Sequence, residues 1–162
     1  MATPFAKILM HLLELDQDII HAQLKDITPA ESLLQLPFRG NCMNWVVGHI
    51  LDIRQEWLEL LGLPGIMTEA EQKAYGYGSE PITCADQSVP LESLLKRLDA
   101  TLPTLLHQLE GMTQADLELE VEIWRGKMPL VEALAHFLWH EGFHTGQLEQ
   151  LRQLAGKNDH VI

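Results

Sequence analysis

The sequence predicts an all-α protein, a four-helix bundle with one long crossover connection between its second and third helices. Three observations lead there. Four long segments repeat apolar side chains at spacings of three and four, the period of a helix with one face in a core. Prolines fall at the starts of those segments or between them, Pro103 excepted, and so do most glycines. One stretch alone, DLELEVEIW, alternates apolar and acidic residues with the period of an extended strand. With no second such stretch to pair with, it reads as an extended arm laid along the bundle.

The first helix is expected over residues 3–25, with Phe5, Ile8, Leu12, Leu15, Ile19 and Ala22 as its buried stripe and His11 and His21 in solvent. In DITPAESLLQLP, Thr28 can cap a short helical turn that Pro29 starts and Glu31 completes. The second helix should start at the N-cap Asn44 and stop at Gly62, turning Val46, His49, Ile53, Trp57 and Leu60 inward. Residues 63–89 hold two prolines and three glycines and read as loop, with a short helix over 68–75. Such a chain reaches up to ~90 Å extended, so it can cross a bundle whose helices are ~27 Å long. The third helix is expected over 91–109, its leucines at 91, 94, 98, 102, 105 and 109 in register, with a bend at Pro103 and a stop at Gly111. Pro129 suits the first turn of the fourth helix, 129–155. The tail KNDHVI is expected to fray.

With 162 residues, the chain reads as a single domain (1–162) able to bury a real core. A hydrophobic fraction of 46% and a charged fraction of 21% are those of a globular protein. A net charge of −12, with 11 scattered Lys and Arg, argues against nucleic acid and anionic membrane surfaces as partners. No apolar run is long enough to span a bilayer, and the amino terminus lacks a secretory signal, so the cytoplasm is the expected compartment. Cys42 and Cys84 suggest neither a disulfide nor a CxxC metal site, and Cys42 reads as a small packed residue.

The chemistry lies with the histidines. On the fourth helix, Leu130, Ala133, Phe137, His140, His144, Leu148 and Leu151 form one stripe, so two histidines four residues apart face the core. His49 does the same from the second helix. Neutral imidazole is the commonest metal ligand, and three histidines with an open fourth position make up a catalytic zinc-type set. Core histidines satisfied by hydrogen bonds are the plainer alternative. His136 falls beside the stripe. Glu141, about 100° around from His140, and Glu56, two turns beyond His49, are the carboxylates expected to act as general base or to support a histidine N–H. HEGFH also fits HExxH of zinc proteases, but neither a third histidine nor a downstream glutamate follows at the required spacing. Trp139 and Phe143 lie outside the arc one core can cover, which points to a homodimer through the flank of the fourth helix, or to cover by a helix of the same chain.

The segments NCMNWVVGHI (41–50) and HFLWHEGFHTGQLEQLR (136–152) resemble signatures of the DinB-like superfamily, which includes YfiT-type proteins and thiol-dependent transferases. The first fits NxxNWxxGH and the second HExxHxGQ, and the resemblance spans nearly the whole chain. It implies a four-helix bundle with a long crossover, a divalent metal on His49, His140 and His144, and pairing of two copies. Zinc or nickel is the first expectation, with iron, copper or manganese also suited to three histidines. The reaction implied is that of a metal-dependent thiol transferase or hydrolase acting on a small molecule, with a low-molecular-weight thiol as cosubstrate. A non-catalytic stress-response bundle with a structural metal is the alternative, and a metal-free ligand-binding bundle is a third. Thr145 departs from the family pattern, which commonly has a basic residue there.

Overall fold

In the computed structural model, which describes residues 2–161, the chain is mostly helical. Helix α1 (Pro4–Leu24) begins at Thr3, whose hydroxyl accepts from the Ala6 N–H at 3.1 Å, with Pro4 in the first turn where its missing N–H costs nothing. Its buried side chains are Ala6, Leu9, Leu13, Gln17, Ile20, Gln23 and Leu24. This overturns the expected stripe: Phe5, Ile8, Leu12 and Leu15 are 55, 56, 40 and 44% exposed. Two apolar stripes of the same spacing run along α1, one residue and hence about 100° apart, so periodicity alone leaves open which one meets the core.

Helix α2 (Met43–Leu60) is buried around most of its circumference and packs against both other long helices described below. Its N-cap is Cys42, not Asn44, and no side chain caps it. Cys42 is buried and directs its thiol to the Ile82 carbonyl. The crossover carries α3 (Glu69–Tyr75), started by a reciprocal capping box between Thr68 and Glu71. Arg97 reaches over to Glu71 at 3.0 Å and ties this helix down. Helix α4 (Leu91–Gly111) continues through Pro103 and buries Leu91, Leu94, Leu98, Leu105 and Leu109 as expected.

The expected lone arm is instead half of a hairpin. After the short α5 (Gln114–Leu117), β1 (Glu120–Ile123) pairs antiparallel with β2 (Gly126–Pro129), and Gly126 takes φ +102° after a two-residue turn. The fold is therefore not purely α. The partner strand GKMP escapes a sequence reading because it has no alternation and no β-branched residue, and it ends in a proline. Pro129 accordingly precedes α6 (Leu130–Leu154) as its N-cap and does not begin it.

Helix α6 packs on α1 and α2, and α4 packs on the same two helices from the other side. The core has two apolar clusters, one around Ile20, Val47, Leu98 and Leu148, the other around Leu13, Trp57, Leu105 and Phe137. Between them along the helices come Asp16, Arg54, Thr101 and Glu141. Arg54 donates to both carboxylate oxygens of Glu141 at 3.0 and 2.6 Å, to Leu98 O at 3.1 Å and to the Thr101 hydroxyl at 3.0 Å. Both partners of this ion pair are completely buried. At the C-terminal end, Arg152 binds Asp159, the Gln23 carbonyl of α1 and the carbonyl of Lys25 just past it, so the tail expected to fray is pinned as far as Asp159. Ile162 lies outside the described residues. Among the described residues no helix is long and apolar enough to cross a membrane.

Candidate metal centre

His49 on α2 and His140 and His144 on α6 come together where those two helices pack. Their ring centroids lie 5.1, 4.7 and 4.5 Å apart for the pairs 49–140, 49–144 and 140–144. The three offer ligand nitrogens that all lie within 4.8 Å of one another. His136, as expected, stands aside against Trp124.

The hydrogen bonds of the rings decide which nitrogen faces the centre. His49 Nδ1 donates to the Tyr75 carbonyl at 2.8 Å, and His144 Nδ1 donates to Gln147 Oε1 at 2.8 Å. Each acceptor holds the proton on Nδ1 and leaves the Nε2 lone pair free, the arrangement in which a histidine ligand is oriented by an outer hydrogen bond. His140 Nε2 and His144 Nε2 are 3.3 Å apart. Two ligands of a tetrahedral ion with bonds of about 2.0–2.1 Å are separated by about this much. The three residues therefore fit a small divalent ion.

Burial, followed by the neighbouring histidines, pushes the His49 pKa down to about 3 and that of His140 to about 4. Burial also lowers His144. All three rings are thus neutral near pH 7, the form a metal requires.

The α2 signature owes its pattern to the docking of the crossover over these histidines. The Asn44 amide donates to Val89 O at 2.9 Å and its oxygen accepts from the Tyr75 hydroxyl at 2.9 Å. Tyr75 OH in turn accepts from the Val89 N–H. Trp45 Nε1 donates to the Ser79 hydroxyl at 2.8 Å, and the indole stacks on His49 at 4.6 Å. Gly48 leaves room for the Tyr75 ring: a Cβ there would lie within the ring's contact surface, 2.6 Å from Cγ. Tyr75 thus presents its carbonyl to His49. Nothing in the sequence could have assigned that role, because the atom used is backbone. Gln147, by contrast, sits within HExxHxGQ and is placed to hold His144.

A cavity of about 680 Å³ opens above the histidines, walled by Trp45, Tyr77, Trp139 and Phe143 among others. The two carboxylates expected to serve there do not line it. Glu141 is completely buried and saturated by Arg54, because the 100° that separates it from His140 carries it into the core. Glu56 is half-buried among Asp52 and Glu59, and burial followed by their charges lifts its pKa to about 7. The carboxylate that does approach the centre is Asp52, whose Oδ2 is 4.0 Å from His49 Nδ1. Burial, then the Glu59 charge, lifts its pKa to about 6. Thr145 is also buried and outside the cavity wall.

No curated protein matches the chain. Residues 6–148 match the DinB superfamily, and that span contains all three histidines, the crossover and the hairpin. The chain belongs to the DinB superfamily.

Proposed function

We propose that the chain is a metal-dependent enzyme, a four-helix bundle with a long crossover in which His49, His140 and His144 hold one divalent ion, zinc or nickel foremost. The reaction is a transfer to or from a low-molecular-weight thiol, or a hydrolysis, on a small-molecule substrate. When bound, such an ion lowers the pKa of a thiol, a water or a substrate oxygen that reaches it. The observation that carries this reading is an opening, not a fourth ligand: among the described residues the cluster comprises three histidines, and the space above them is a cavity of about 680 Å³. A structural ion would instead be closed in by a fourth protein ligand.

The residues of the chain divide the work. Tyr75 O and Gln147 Oε1 orient His49 and His144. Trp45, stacked on His49, screens one side of the site from water. Glu141 and Glu56 receive no proton-transfer role, since neither lines the cavity.

The same reading has two copies pairing through the face where Phe5, Ile8 and Leu12 of α1 meet Trp139 and Phe143 of α6 around a groove of about 830 Å³. Six large side chains lie exposed on that face, Leu15 included. At roughly 100 Å² each they supply about 600 Å² of the ~800 Å² per partner of a standard interface.

The test of the reaction class is a thiol titration of cobalt-substituted protein. A thiolate-to-cobalt absorption band in the near ultraviolet, absent in His144→Ala, is expected. Full cobalt loading without that band for any small thiol would remove the thiol transferase and leave the hydrolase.

A further inference from the structure

We propose that the cavity above the three histidines takes an organic anion, a carboxylate on an aromatic or apolar body, with Arg39 pairing the carboxylate while the other end reaches the metal. The inference rests on the metal reading above and adds the charge and shape of the ligand.

Charge distribution is the first observation. The chain carries 23 Asp and Glu against 11 Lys and Arg, yet the cavity is lined by no carboxylate and by one cation, Arg39. Apart from the three histidines that would hold the ion, that guanidinium is the formal charge the wall presents. A divalent ion at the floor would add to the same sign. A cationic ligand would meet repulsion at both ends, and a neutral one would leave Arg39 unused.

Arg39 is also free to act. Arg54, Arg97 and Arg152 are each engaged by a carboxylate, Glu141, Glu71 and Asp159 respectively. Among the described residues Arg39 has no such partner and makes no side-chain hydrogen bond. A guanidinium at a cavity mouth, with its five donors in a planar fork, is suited to a carboxylate.

The walls set the body of the ligand. Phe38 and Tyr77, 65 and 99% exposed, stand at the cavity, with buried Trp45 in its wall and Trp139 and Phe143 at the edge it shares with the pairing face. Phe38 and Tyr77, large aromatics left in water at a concave site, are the surface an apolar or flat ligand covers. Gln147 gives its oxygen to His144 and keeps its amide N–H groups for a further polar contact.

The experiment uses full-length protein loaded with cobalt and a ligand whose metal-binding head is constant. Probes are 4-carboxybenzohydroxamate and its neutral 4-carbamoyl and cationic 4-aminomethyl analogues, each with homologues one and two methylenes longer. Affinity is read from the cobalt visible spectrum. The carboxylate should bind at least about tenfold more tightly than the amide at one of the lengths, the worth of one charge-assisted pair. In Arg39→Gln that preference should fall below about twofold while cobalt affinity stays unchanged, and Arg39→Lys should restore part of it. A wild type that does not distinguish carboxylate from amide, or prefers the amine, overturns the inference and leaves the metal reading standing. So does a preference that survives Arg39→Gln. A protein that takes up no cobalt overturns the metal reading and the inference with it.

Discussion

Replacing Gly48 with alanine should destabilise the protein and loosen the metal centre together. In an exposed mid-helix position this change stabilises by roughly 1 kcal/mol, because glycine has the poorer helix propensity. At Gly48 the new methyl would enter the Tyr75 ring, 2.6 Å from Cγ and closer still to Cδ1 and Cε1. Carbon contacts need about 3.5–4.0 Å, so the ring must retreat by ~1.5 Å. It is completely buried and has nowhere free to go. Overpacking of that kind costs about 1–3 kcal/mol. Displacing the tyrosine hydroxyl from Asn44 and Val89 adds about 1 kcal/mol per bond. The net expectation is a loss of about 2–4 kcal/mol, read as a shift of the urea midpoint at constant slope. The retreat also carries the Tyr75 carbonyl away from His49 Nδ1, and loss of such an outer contact lowers metal affinity by about 10–100-fold in a competition titration. Gly146→Ala is the control, since a Cβ there meets nothing within 4 Å and the variant should be neutral or slightly stabilised. A Gly48→Ala protein as stable as Gly146→Ala, with metal affinity intact, would refute the role given to Tyr75.

Glu141→Gln leaves Arg54 buried without its counter-charge and should cost about 3–5 kcal/mol in chemical denaturation, largely recovered in Arg54→Met/Glu141→Leu. An unaltered midpoint with lost activity would instead make Glu141 a base. Burial, with the Glu141 charge second, raises the Asp16 pKa from the ordinary 3.8 to about 7, so the folded state favours the protonated acid. The contribution of Asp16 is fully present below pH ~4 and lost as pH rises through ~7, so Asp16→Asn should exceed wild type by roughly 1–2 kcal/mol at pH 8 and by little at pH ~4. A difference independent of pH between 5 and 8 would contradict this. Light scattering should give a mass near twice 18.4 kDa, and Trp139→Glu should move it to monomer without loss of metal; a wild type that stays monomeric at high concentration would return the α1–α6 face to solvent.

The long helices were legible because their apolar spacing is regular, and the histidines because three of them interrupt that spacing on the buried side. Periodicity gave out where two stripes compete, as on α1, where Leu9 and Leu13 are buried and Ile8 and Leu12 are not. It gave out again at the hairpin, whose second strand has no strand-like residue pattern. Glu141 shows a different failure. Its angular distance from His140 was correct, but a residue 100° away on a helix enclosed on two sides can point into the core as readily as into a cavity. Arg54 was the missing cue: an arginine in the middle of an apolar helix needs a buried carboxylate, and on α6 that carboxylate is Glu141. The contact of Tyr75 with His49 could not be anticipated, because it joins a side chain to a backbone carbonyl across a long crossover.

The central claim is that His49, His140 and His144 form one metal site, and metal stoichiometry on tag-free protein tests it most directly. Wild type and His136→Ala should each bind one divalent ion per chain, whereas His49→Ala and His144→Ala should bind none with comparable affinity. A wild type that takes up no ion from zinc, nickel or cobalt, or an equal loss in His136→Ala and His144→Ala, would contradict it.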